Sequence, residues 1–225
     1  MFYNPATGLY ENPLTYGRPN PAYGNIHYDQ SNGKSNYLAL QNSFTRRYQK
    51  NFQVGVTYTL MFYKNDTGEG SSGYGATQVN PFNIMADWAK STDFQRHTLR
   101  FNGIWTLPKG FQLSAYWAFG SPNPSYTTST NVNPLGDGST RIRANLTVIP
   151  RDNFYGDTFQ SLDMHLSKTF QFGEHIKVTG IAEVFNLYNH GQYTYNLLET
   201  SAQFGQRNGS AYTPREGQLG AKFEF

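Results

Sequence analysis

Seven stretches of this chain alternate apolar and polar residues with a period of two, the pattern of an extended strand with one face of each kind. In Phe52–Tyr63, residues Phe52, Val54, Val56, Tyr58, Leu60 and Phe62 share a face, and Gln53, Gly55, Thr57 and Thr59 oppose them. Residues 36–48 put Leu38, Leu40 and Phe44 together, with Asn42 as the exception. Residues 95–107 align Leu99, Phe101, Gly103, Trp105 and Leu107 against Thr98, Arg100, Asn102 and Thr106. Residues 111–119 align Phe111, Leu113, Ala115, Trp117 and Phe119. Residues 159–170 set Leu162, Met164 and Leu166 against Asp163, His165 and Ser167. Residues 175–187 set Ile176, Val178, Gly180, Ala182 and Val184 against Lys177, Thr179 and Glu183. Residues 215–225 set Leu219, Ala221, Phe223 and Phe225 against Gln218, Gly220, Lys222 and Glu224. At roughly ten residues each, most of these strands suffice to cross a bilayer at a tilt.

The connections are of two kinds. Tight reversals are predicted at 49–51, 108–110 and 171–174, and long connections at 1–35, 64–94, 120–158 and 188–214. Pro5, Pro13, Pro19 and Pro21 break the first long segment, which reads as one surface loop with a short extended piece near Ile26–Tyr28. Asn83–Lys90 is suited to one or two helical turns inside the second. Compact water-soluble domains rarely hold several structureless loops longer than about 15 residues, whereas outer-membrane barrels join short periplasmic turns to long extracellular loops. The pattern predicts an all-β, antiparallel transmembrane barrel segment of about seven meandering strands. A soluble antiparallel sandwich alternates in the same way and is the competing reading.

Composition agrees with strands and turns: 17 Tyr, 17 Phe and 22 Gly in 225 residues, with only 15% charged. Mean hydropathy is −0.63, as expected when apolar residues occupy every second position. The net charge of +3 and the scattered Lys and Arg give no basis for nucleic-acid binding. His27, His97, His165, His175 and His190 lack ligand spacing, so no metal or other cofactor is expected. The sequence contains no nucleophile elbow and no phosphate-binding glycine loop, and no enzymatic activity is expected. The opening Met-Phe-Tyr-Asn-Pro is not a signal peptide, which leads to the expectation of a fragment.

The last strand ends on an aromatic residue, and Leu219, Phe223 and Phe225 resemble the assembly signal of bacterial outer-membrane barrels. An ordered series of further stretches resembles TonB-dependent receptors, in particular the Oar-like branch. It comprises Ser35–Gln41, Ala86-Asp87-Trp88, Arg96-His97, Trp105-Thr106-Leu107-Pro108, Asn153-Phe154, Gln160–Phe170, Ala182–Asn189 and Thr213-Pro214-Arg215. The resemblance implies the carboxy-terminal part of a 22-stranded outer-membrane barrel in a Gram-negative bacterium. Residues 1–35 would be an extracellular loop region and 36–225 barrel strands, without the amino-terminal plug. It further implies uptake of a nutrient of the siderophore, carbohydrate or peptide class. The implied partners are lipid, the rest of the barrel and its plug, the barrel-assembly machinery, and the energy-coupling TonB complex through the missing amino-terminal part. A small self-contained barrel of porin or adhesin type and a soluble glycan-binding sandwich are the alternatives.

On the membrane reading, Val54, Val56, Tyr58, Leu60, Leu99, Phe101, Leu113, Ala115, Leu162, Leu166, Val178, Leu219 and Phe223 face lipid. Trp105, Trp117, Phe119 and Phe62, with Tyr58 and Tyr63 as further candidates, form aromatic girdles. Arg100, Asn102, Asp163, His165 and Glu183 line the lumen, where lateral ion pairs within a solvated wall are the expected arrangement. Lys168 shares the apolar parity and reaches toward headgroups beside a turn.

Overall fold

The computed structural model describes residues 2–4, 9–11, 31–67, 83–91, 95–124, 127–132, 134, 140–210 and 212–225. In chain order the strands are β1 (Phe2–Asn4), β2 (Leu9–Glu11), β3 (Ser35–Gln49), β4 (Phe52–Asn65), β5 (Ala89–Lys90) and β6 (His97–Leu107). They continue with β7 (Phe111–Gly120), β8 (Phe159–Phe172), β9 (Ile176–Phe185), β10 (Tyr193–Tyr195), β11 (Arg207–Ser210) and β12 (Glu216–Glu224). The long strands form one sheet in the order β12-β9-β8-β7-β6-β4-β3, with β5 added beside β4. Each long strand pairs antiparallel with its neighbour along this path, so the sheet is a meander. Among the described residues β3 and β12 pair on one side only, and the sheet is open, as a segment of barrel wall is.

Register carries the alternation from strand to strand. One row of directly opposed residues runs Val54, Gly103, Ala115, Met164, Val184 and Gly217. Another runs Phe44, Val56, Phe101, Trp117 and Leu162. The row between them carries Asn102, Tyr116 and Asp163, and the row on the other side of Ala115 carries Ser114, His165, Glu183 and Gln218. A slip of one residue at any pair would turn that strand's apolar side chains to the wrong face. The tight turns help hold the register. Lys50 (φ 51°) and Asn51 (φ 70°) are both left-handed, as a two-residue hairpin compatible with strand twist requires. Lys109 and Gly110 supply the same handedness between β6 and β7. All three tight turns lie at one end of the sheet, and the strand ends joined by the long connections lie at the other.

Several boundaries differ from the sequence reading. The predicted sixth strand stops at Phe185 rather than 187, because Asn186 adopts φ 48° and turns the chain out of the sheet. β8 runs on to Phe172, which moves the following turn to residues 173–175. The segment 1–35, read as one loop, contains the β1–β2 hairpin, and the 188–214 connection contains the β10–β11 hairpin. The extended piece expected at Ile26–Tyr28 lies outside the described residues. A 3-10 turn occupies Ile84–Asp87, where helical turns were expected.

No second layer covers the apolar face: among the described residues, the substantial contacts of the long strands are with their lateral neighbours and the adjoining turns. Among the described residues the buried hydrophobic side chains are Ala118, Ile142 and Ile149, and the last two belong to the 120–158 connection. On the sheet edges Leu38 is 66% and Leu219 88% exposed. A soluble sandwich would bury this face under a second sheet.

Candidate functional site

The apolar face is a band with aromatic rims. At the turn end lie Phe52, Trp105, Phe111 and Phe170; at the loop end lie Tyr58, Phe62, Trp117 and Phe119. Phe101 and Trp105 stack at 6.2 Å, and the indole lies over Gly103, where a Cβ would approach it to 2.6 Å. Cations cap both rims. Arg46 sits 3.8 Å over the Phe52 ring, Lys168 lies 4.4 Å and 4.7 Å from the Phe111 and Phe170 rings, and Arg96 is 4.9 Å over Phe62. All thirteen residues expected to face lipid fall on this face, as do Trp105, Trp117, Phe119 and Phe62. Tyr63 does not: it lies on the polar face, edge-on to Tyr37 at 5.7 Å. From Phe52 to Phe62 the band measures about 34 Å along the strand, or roughly 25 Å along the normal at the tilt usual in barrels.

On the opposite face the polar side chains find partners within the wall. Arg100 donates to the Leu99 and Phe119 carbonyls at 3.1 and 2.7 Å. Asn102 fills the space over Gly55, where a Cβ would come within 2.5 Å of its amide oxygen. His165 Nδ1 meets Glu183 Oε1 at 2.8 Å across β8 and β9, and Gln218 on β12 donates to the other Glu183 oxygen. This is a lateral pair of the kind expected for a polar wall. Asp163 accepts from Ser161 Oγ at 3.0 Å and from the Asn186 N–H at 2.9 Å. Asn102, Ser114, Tyr116, Asp163, His165 and Glu183 line a shallow cleft of about 250 Å³.

Asn186 is the residue that pattern reading passed over. Its carboxamide donates to the His190 and Thr213 carbonyls, both at 3.1 Å, and accepts from the His190 N–H at 3.0 Å. It thereby pins both ends of the 188–214 connection to the top of β9. The signal was present in Asn186 and Asn189, the residue type that best tolerates the left-handed backbone both adopt.

The described parts of the long connections pack onto one another at the loop end and form a cap there. Arg141 donates to Asp87 Oδ1 at 2.7 Å and to the Ile149 carbonyl at 3.0 Å, linking the second connection to the third. Both partners of this ion pair are largely buried. Arg143 grips Glu199 with two hydrogen bonds, of 2.6 and 2.8 Å, and Thr128 Oγ1 adds one of 2.7 Å, linking the third connection to the fourth. The Arg143 hydrogen bonds hold the Glu199 carboxyl below its usual range. Asp157 is likewise held low, first by the Tyr195 hydroxyl and then by Arg207. Burial raises Asp152 and outweighs the opposing pull of Arg151, 3.3 Å away. Phe154 packs against Tyr195 and Phe204. Tyr155 and Tyr188 remain exposed.

A single-layer antiparallel sheet, an apolar face with aromatic rims, a polar face and one-sided loops are the parts of an outer-membrane barrel wall. No curated protein matches this chain. A family model described as outer membrane beta barrel domain matches residues 3–117 and again residues 115–218. These matches span nearly the whole sequence, and the chain belongs to the outer membrane beta barrel domain family.

Proposed function

We propose that this chain is the carboxy-terminal barrel wall of a TonB-dependent receptor of a Gram-negative outer membrane, with its connections forming part of the extracellular ligand-contacting surface. The observation that carries the reading is the open meander: seven long strands with a continuous apolar face and unpaired outer edges at β3 and β12 among the described residues. Single-chain bacterial barrels close with even strand numbers from about eight upward, so these edges suit continuation into a larger barrel. The ordered resemblances in Ser35–Gln41, Gln160–Phe170 and Ala182–Asn189 favour the receptor class. Apolar side chains from Val54 to Phe223 meet lipid on this reading, and Trp105, Trp117, Phe119 and Phe62 form the girdles. The polar wall around Asn102, Asp163, His165 and Glu183 faces a plug or a passing solute. Leu219, Phe223 and Phe225 engage the assembly machinery.

The nutrient is of the siderophore, carbohydrate or peptide class, contacted through tyrosines such as Tyr155 and Tyr188 and the amide groups of the cap. The test is made on the complete protein. A receptor gives energy-dependent uptake that a protonophore abolishes, and no steady conductance in planar bilayers. Steady conductance with uptake indifferent to a protonophore would overturn the receptor reading in favour of a porin-like barrel.

A further inference from the structure

The charges of this wall are sorted by end. At the loop end four arginines of the long connections are paired with acids: Arg141 with Asp87, Arg143 with Glu199, Arg151 with Asp152 and Arg207 with Asp157. At the turn end, where every residue is described, Arg46, Arg47, Lys50, Lys109, Lys168, Lys177 and Lys222 meet only two acidic side chains, Glu174 and Glu224. Glu224 is already taken by Lys222. Two of these cations, Arg46 and Lys168, lie on the apolar face. Lys168 is held between the Phe111 and Phe170 rings, and no hydrogen bond or ion pair satisfies its ammonium among the described residues. Gly180, directly opposite on β9, leaves open space beside it. An ammonium fixed over aromatic rings at the margin of an apolar band retains donors for an anion. An anion that meets such a face from the lipid side belongs to a headgroup, and every phospholipid headgroup carries a phosphate.

We infer that the turn-end rim, centred on Lys168 between Phe111 and Phe170, binds the phosphate of an anionic phospholipid in the adjoining leaflet, with Arg46 over Phe52 as a second contact along the same rim. The inference rests on family membership and on the faces fixed by register, and holds for a receptor or a porin-like barrel alike. A basic side chain near an anionic surface favours such a lipid about fivefold.

The experiment is native mass spectrometry of the protein folded in a neutral detergent, with equal amounts of phosphatidylglycerol and phosphatidylcholine. The expected result is a preference for phosphatidylglycerol of about fivefold or more. Lys168→Gln brings it close to parity, Arg46→Gln lowers it partly, and Lys34→Gln at the loop end leaves it unchanged. Heat-dependent gel mobility confirms that each variant is folded, and a variant that fails to fold is replaced by Lys168→Met. Millimolar inorganic phosphate leaves the preference intact if the lipid itself is bound, and abolishes it if the site takes any phosphate. Parity in the unaltered protein, an unchanged preference in the Lys168 variants, or displacement by free phosphate each overturns the inference. None of these outcomes touches the receptor proposal, which is read from uptake and conductance.

Discussion

Ala115 offers the sharpest test of what the apolar face meets. It stands four residues from Phe111 and four from Phe119 on β7, midway between the aromatic rims. Four residues span about 13 Å of strand, or roughly 10 Å along the normal at a tilt near 40°. Its neighbours in register are Gly103, covered by the Trp105 indole, and Met164, so an arginine meets side-chain bulk as well as the surrounding medium. At that depth on a lipid-facing surface, Ala115→Arg should cost about 2–4 kcal/mol, a shift of roughly a hundredfold in the folding equilibrium. Two controls separate lipid from crowding. Leu107→Arg, on the same face at the rim, should cost about 0–1 kcal/mol, and Ser114→Arg, on the polar face one residue away, should stay in that lower range. The assay is reversible guanidinium unfolding in phospholipid vesicles, followed by tryptophan fluorescence. Equal costs at Ala115, Leu107 and Ser114 would refute the reasoning, because a face bathed in water has no depth dependence.

Three further outcomes follow from the cap and its anchor. Asp87→Ala takes the counter-charge from the largely buried Arg141 guanidinium, which keeps the Ile149 carbonyl, and should loosen the 141–149 turn by up to about 3–5 kcal/mol, read as faster amide exchange there; Arg141→Met with Asp87→Leu should recover much of the loss. Asn186→Ala removes three hydrogen bonds at the base of the fourth connection and should speed exchange across residues 187–214 while sparing β8, at a local cost of about 1–3 kcal/mol. The cap should also respond to acid. Glu199 and Asp157 have depressed carboxyls in the folded state, so their contribution is present above the unfolded carboxylate range and is lost as pH falls through their lower folded values. Asp152, raised by burial, works in the opposite sense and is relieved by protonation. Protease accessibility of the loops should therefore rise only below about pH 4, and Glu199→Gln should remove part of that step.

The strands were legible because a half-exposed sheet demands an alternation that each segment displays without reference to the others. The pairings β3–β4, β6–β7 and β8–β9 followed, since a tight turn leaves the two strands it joins side by side. The ends were less legible. Asn186 turns out of β9 through a left-handed conformation that interrupts the parity running from Ile176 to Val184. Tyr63 was a girdle candidate by residue type, but its odd position sends it to the polar face beside Tyr37. The polar wall was half readable: His165 and Glu183 were placed on one face, yet their pairing depends on the β8–β9 register. The cap could not be read at all. Arg141 and Asp87 lie 54 positions apart, and which carboxylate a loop arginine finds is decided by the path of two irregular segments, not by a local period.

On a barrel wall the odd-numbered side chains of β7 meet lipid and the even-numbered ones do not. The chain has no cysteine, so single cysteines can be introduced at each position from 111 to 119 and spin-labelled in bilayers. Collision with oxygen should peak at 111, 113, 115, 117 and 119 and fall at the positions between, while a water-soluble nickel complex should be excluded from 113, 115 and 117. Nickel access at those three positions, or oxygen access without a period of two, would contradict the account.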